Sequence, residues 1–176
     1  MKRNVAISAD ILPPMNVTQF NVAVIGADAA GMSCARHLQS DACRVTLFDA
    51  ATTVCDIWHE GHEGGWRIAS LEAGAHAGDF DALVLALPAP QAAALLAPLL
   101  PATAMEVAAM LPSSDQCIWL PAVQLGLCGD WLCGGQEGDA WLSGRALAAR
   151  MLSQRASDQN SMDAVRPKVR GAPSTR

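Results

Sequence analysis

Two glycines and two carboxylates, set at fixed spacings near the start of the chain, are the residues best placed to do chemistry. The run Val22-Ala23-Val24-Ile25-Gly26-Ala27-Asp28-Ala29-Ala30-Gly31 reads as a strand that passes through a tight turn into a helix. In a phosphate-cradling strand-helix-strand unit the first glycine makes the turn. The second lets the backbone approach a diphosphate, and the third lets the helix pack on the strand. Gly26 and Gly31 fill the first and third roles. Asp49 closes the next strand-like run, Arg44 to Phe48, where an acid can accept hydrogen bonds from a ribose hydroxyl. A site of this kind holds a nucleotide.

Asp28 stands where the second glycine belongs. It adds a Cβ and a negative charge at the place a diphosphate would occupy. Two like charges 4 Å apart repel by about 1 kcal/mol in water and about 4 kcal/mol at an effective dielectric of 20. The helix N-terminus returns only roughly 0.3 to 1 kcal/mol to an anion, so binding is expected to be weakened or lost unless Asp28 turns away or is protonated.

Other conspicuous residues have simpler readings. His59 and His62 are suitably spaced for a metal on one helical face, but Gly61, Gly64 and Gly65 argue for a polar loop, and no third ligand is nearby. Six cysteines occur without a C-x-x-C pair, several inside apolar runs, and reduced thiols are the expectation. Cys128 and Cys133 flank a Gly-Asp turn at a spacing that is not that of a redox motif. Ser33 and His37 are four apart on the first helix, yet no oxyanion donor or orienting acid accompanies them. Asp139 reads as a helix N-cap, and Trp131 and Trp141 as packing residues.

These residues need a scaffold, and composition bounds it. The chain has 176 residues, 51% of them hydrophobic, enough for one domain with a sizeable core. Its net charge of −5 and pI near 5.2 argue against a cationic face for nucleic acid or anionic lipid. The longest apolar stretch, Ala82 to Leu100, is broken at Pro88, Pro90 and Pro98, so no membrane span is expected. Residues 1–20 lack a convincing cleavage site and read as a loose leader of a cytoplasmic protein. Residues 153–176 carry five basic and two acidic side chains with Pro167 and Pro173, and read as a disordered basic tail.

Between these ends, strand and helix patterns alternate. Val22 to Ile25, Arg44 to Phe48, Trp66 to Leu71, Ala82 to Leu87 and Leu125 to Cys128 read as strands. Gly31 to Gln39, Gln91 to Leu96, Ala102 to Leu111 and Ala140 to Leu152 read as helices. Asp49 to Glu63 is polar and aperiodic, and Gly74 to Asp79 is a turn region. The expected fold is α/β and Rossmann-like: residues 21–152 form a single doubly wound, mostly parallel sheet of about four strands with helices on both faces.

Three blocks, taken together, carry a resemblance. The Gly26 to Gly31 turn with Asp49, the run from Phe80 to Gln91, and the stretch Gly126-Leu127-Cys128-Gly129-Asp130-Trp131 through Ala140-Trp141-Leu142-Ser143-Gly144 appear in the order seen in renalase-like, amine-oxidase-type FAD- and NAD(P)-dependent oxidoreductases. The chain resembles their FAD-binding half. The resemblance implies that Gly26, Ala27, Asp28, Ala30 and Gly31 lie against the FAD pyrophosphate and that Asp49 with Ala50 holds the adenosine ribose. It implies that Gly129 and Asp130 meet the ribityl chain or pyrophosphate, and that Ala140, Trp141 and Leu142 lie at the flavin pyrimidine edge. Hydride transfer to flavin, with NAD(P)H as a reductant, is the implied chemistry.

The sequence departs from that family in two further respects. The Gly-Gly-Arg type segment that follows the ribose acid in relatives is missing from Ala51 to Glu63. The intervals from Asp49 to Trp66 and from Leu111 to Leu125 are too short for the inserted substrate domain. The substrate is therefore not legible, and a bound flavin would need a partner or a second copy to cover its open face. The alternatives are a cofactor-degenerate scaffold or partner-binding module, and a remnant of a longer enzyme.

Overall fold

The computed structural model describes residues 19–39, 43–49, 54–60, 65–70, 74–75, 79–109, 115–136 and 138–165. Its centre is formed by the two most continuously apolar runs, β1 (Asn21–Ile25) and β6 (Ala82–Leu85), which pair in parallel with Val22 opposite Ala82 and Ile25 opposite Leu85. Such runs suit strands covered on both faces. β2 (Arg44–Phe48) joins the other side of β1 in parallel, and β8 (Leu125–Leu127) joins β6 in parallel. The order is β2-β1-β6-β8-β7, where β7 (Ile118–Leu120) is an antiparallel edge. The four parallel strands agree with expectation; β7 is an addition, and the fold is Rossmann-like α/β.

The two-residue period of the central strands divides the core. Val22, Val24, Ala82 and Val84 point to one face, which is covered by α1 (Ala29–Gln39) and α4 (Asp139–Val165). Ala23, Ile25, Leu83 and Leu85 point to the other, where α2 (Ala89–Leu96) and α3 (Pro101–Ala108) pack. That second face is shared with a three-stranded antiparallel sheet of β3 (Val54–His59), β4 (Trp66–Ser70) and β5 (Gly74–Ala75). Ile57, Trp66 and Ile68 of this sheet are buried in the core. Trp66 fastens it to the main sheet, exchanging backbone hydrogen bonds with Phe80 and donating from its indole to the Val123 carbonyl at 2.8 Å.

Three expectations need correction. β3 lies within the stretch read as polar and aperiodic, and β5 within the expected turn region. A register shift between Val54 and Asp56 breaks the two-residue alternation of β3, which removes the periodic signal from the sequence. The last helix runs to Val165, well past Leu152, so Ser153 to Val165 is helical and not a disordered tail. Few apolar residues occur there because this part packs little, but no glycine or proline interrupts it before Pro167, and Gln154 bonds Asp158 one turn on at 3.0 Å. No helix among the described residues is long and apolar enough to cross a membrane.

Candidate nucleotide site

The strand order fixes where a ligand belongs. From β1 the chain goes to β2 on one side and later returns to β6 on the other, so the connections diverge at the C-terminal ends of β1 and β6. In open α/β sheets that divergence leaves a crevice, and ligands bind there. A cleft of about 420 Å³ opens at this point. Its walls come from the three strand ends: Gly26, Ala27 and Asp28 after β1, Asp49 after β2, and Ala86 to Pro88 with Gln91 after β6.

Gly26 makes the turn in a backbone conformation (φ +113°) that favours glycine. Its amide donates to the Phe48 carbonyl at 2.8 Å, and the Ala86 amide donates to Ile25 at 2.7 Å, so the turn is tied to both neighbouring strands. A β-carbon on Gly26 would overlap the Ala86 carbonyl oxygen, and one on Gly31 would overlap the Gly26 carbonyl oxygen. The close approach that the glycine spacing implied is therefore present at both positions.

Asp28 is the N-cap of α1. Its Oδ1 accepts from the amides of Ala30 at 3.1 Å and Gly31 at 3.2 Å, while its carbonyl accepts from Met32 at 2.9 Å. The carboxylate thus supplies from within the chain the negative group that a helix N-terminus attracts. The preceding amides, of Ala27, Asp28 and Ala29, have no hydrogen-bond partner among the described residues. No lysine or arginine among the described residues lines the cleft, whose charged groups are Asp28 and Asp49.

Of the residues singled out from the sequence, Gly26, Ala27, Asp28 and Asp49 meet at this cleft, with Ala30 and Gly31 directly behind it. Ala50 lies outside the described residues. Gly129, Asp130, Ala140, Trp141 and Leu142 do not line the cleft. The Gly129 amide donates to the buried Ser143 hydroxyl at 3.0 Å, and Asp130 accepts from the Trp131 amide at 2.8 Å. Trp131 folds over Gly129, where a β-carbon would come 2.6 Å from the indole nitrogen, and donates to the Leu87 carbonyl at 3.2 Å. That bond links the end of β8 to the cleft wall. Trp131 is core, as its sequence context indicated, whereas Trp141 is 39% exposed and meets His37 edge-on.

Ala86, Leu87, Pro88 and Gln91 were missed as cleft residues, although their run helped to carry the resemblance. The signal was an apolar strand ending in Pro-Ala-Pro-Gln; it becomes a site only when that strand is known to adjoin β1. Ser33 and His37 are accounted for structurally. The Ser33 hydroxyl donates to the Trp141 carbonyl at 2.8 Å, and the His37 ring meets the Ser33 carbonyl at 2.7 Å. Asp139, expected as an N-cap, is instead the first residue of α4, and its carboxylate accepts from the Gln136 amide of the preceding loop at 2.8 Å. His59 packs edge-on against Trp66 at 5.0 Å, and His62 lies outside the described residues.

Cys34, Cys43, Cys117, Cys128 and Cys133 are not joined in disulfides among the described residues. A hydrogen bond that the Cys128 thiol donates to the Cys34 sulfur, together with burial, holds Cys128 well above the ordinary thiol range, and burial also raises Cys117 and Cys133.

Residues 24–80 match the NAD(P)-binding Rossmann-like domain family. The matched segment contains the glycine turn, α1, β2 with Asp49 and all three strands of the second sheet. It supports a nucleotide-type site and an oxidoreductase-type binding module. Comparison with curated proteins yields no match.

Proposed function

We propose that the cleft holds the adenosine diphosphate half of FAD, and that the chain is the flavin-binding module of a renalase-like, amine-oxidase-type oxidoreductase. The observation that carries this reading is the cleft at the β1–β6 divergence, where a glycine turn packed too closely against Ala86 to admit a β-carbon faces an acid at the end of β2. Within it, Asp49 would accept from the ribose diol. The amides of Ala27, Asp28 and Ala29 would donate to the diphosphate, and Gln91 would close the open side. When bound, FAD would supply the hydride acceptor, with NAD(P)H as the source of the hydride. Trp141 and Leu142, each more than a third exposed at the start of α4, suit a partner or second copy that covers the flavin face.

A specific observation favours a second reading, in which the cofactor has been lost and the fold serves as a scaffold or partner-binding module. The Ala30 and Gly31 amides already hold the Asp28 carboxylate, and no cationic side chain among the described residues lines the cleft. Titration of the full chain with FAD, read by flavin fluorescence and by the absorption spectrum, separates the two. Flavin bands on the protein and release of FAD on heating support the first reading. A colourless protein that leaves FAD fluorescence unchanged overturns it in favour of the second.

A further inference from the structure

We infer that Asp28 makes the cleft grade its ligands by phosphate charge, discriminating against diphosphates relative to the uncharged nucleoside. This rests on the nucleotide-site reading above. Three observations carry it. Asp28 caps α1 through one carboxylate oxygen, at 3.1 and 3.2 Å from the Ala30 and Gly31 amides, which fixes the carboxylate at the mouth of the helix. The same residue lines the cleft, beside Gly26 and Ala27. The amides one step earlier, of Ala27, Asp28 and Ala29, are open among the described residues.

The consequence follows from charge and position. A diphosphate has only the earlier amides to bond, because the two that belong to the helix proper are held by a resident anion. Its phosphoryl oxygens then lie beside that anion, and the cleft offers no cation among its described lining to offset the repulsion. An uncharged nucleoside escapes this cost. Its base packs on the apolar wall of Ala86, Leu87 and Pro88, and its ribose reaches Asp49. Asp28 is thus a specificity-determining residue, and it acts on the phosphates alone.

The test is equilibrium titration of the full chain with adenosine, ADP and FAD, comparing the native protein with Asp28→Asn and Asp28→Gly. Asparagine keeps a capping oxygen and removes the charge. Glycine also frees the Ala30 and Gly31 amides, at a small cost to the helix. For Asp28→Asn, ADP and FAD should bind at least about five-fold more tightly, the lower bound set by like charges 4 Å apart in water. Adenosine should change by less than about two-fold on the same scale. Asp28→Gly should increase the gain for ADP further, and rising salt should shrink the effect of the charge. Unchanged ADP affinity in Asp28→Asn, or an equal shift for adenosine and ADP, overturns the inference. Failure of all three ligands to bind either the native chain or the variants would instead overturn the nucleotide-site reading on which it stands.

Discussion

Gly26 and Ala86 lie so close that the α-carbon of one rests against the carbonyl oxygen of the other, across the line where β1 and β6 part. This contact makes the cleft floor, and it leaves no room for a side chain. Gly26→Ala must therefore push the two strand ends apart and place alanine at φ +113°. Destabilisation on the order of 2 to 4 kcal/mol is expected, from strain and overpacking together. Urea denaturation measures it; a loss below about 0.5 kcal/mol would show that the strand ends yield freely.

A similar contact sets the crossing of α1 and α4. A β-carbon on Gly144 would overlap the Ala30 carbonyl oxygen and come 3.0 Å from the Cys34 amide nitrogen. At Gly126 the obstacle is only the Leu147 side chain, at 2.8 Å, which can rotate. Gly144→Ala should accordingly cost more than Gly126→Ala, about 2 to 3 against about 1 kcal/mol. Thermal denaturation of the two variants gives the order, and its reversal would mean that the helices separate more easily than Leu147 turns.

Asp28 contributes to stability through its cap independently of any ligand. Asp28→Ala removes both side-chain bonds to α1 and should cost about 1 kcal/mol, whereas Asp28→Asn should be close to neutral. Equal losses in the two variants, measured by urea denaturation without ligand, would assign the effect to charge and not to capping.

Raised thiols link stability to alkaline pH. Burial and the Cys34 hydrogen bond favour the protonated form of Cys128 in the folded chain, and burial does the same for Cys117. The folded state therefore binds protons more tightly than the unfolded state. The resulting stabilisation is fully present below the unfolded thiol value of 9.0 and is lost as pH rises through the higher folded values. Stability should hold up to about pH 9 and fall as pH rises beyond it. In the native protein, iodoacetamide should label the partly exposed Cys133 before Cys117 or Cys128, as peptide mass spectrometry would show.

The parts of this fold that follow a strict period were legible in the sequence. β1 and β6 are unbroken apolar runs because both of their faces are covered, and α1 follows Gly26 because the turn has one workable geometry. β3 was not legible, since the irregularity between Val54 and Asp56 breaks its alternation. The extension of α4 was not legible because its second half buries little and so carries no apolar period. At the site, the sequence identified Gly26, Asp28 and Asp49, which follow β1 and β2 directly. It could identify Asp28 as a misplaced charge but not as a cap, which depends on the rotamer of the side chain. Gln91 and its neighbours required knowledge of which strand lies beside β1, a pairing between residues some sixty positions apart in the chain.

α4 reaches from one end of the sheet to the other. Near its start, Ser143 holds the Gly129 amide at the C-terminal end of β8; three turns later, Arg155 stacks 4.1 Å over the Phe20 ring and meets the Cys43 sulfur at 2.9 Å, where β1 and β2 begin. The helix is thus a brace bolted at both margins of the domain. Ending the chain after Gln154 would spare the upper bolt but strip the lower one, exposing an aromatic ring and a thiol at the foot of the two strands that carry the glycine turn and Asp49.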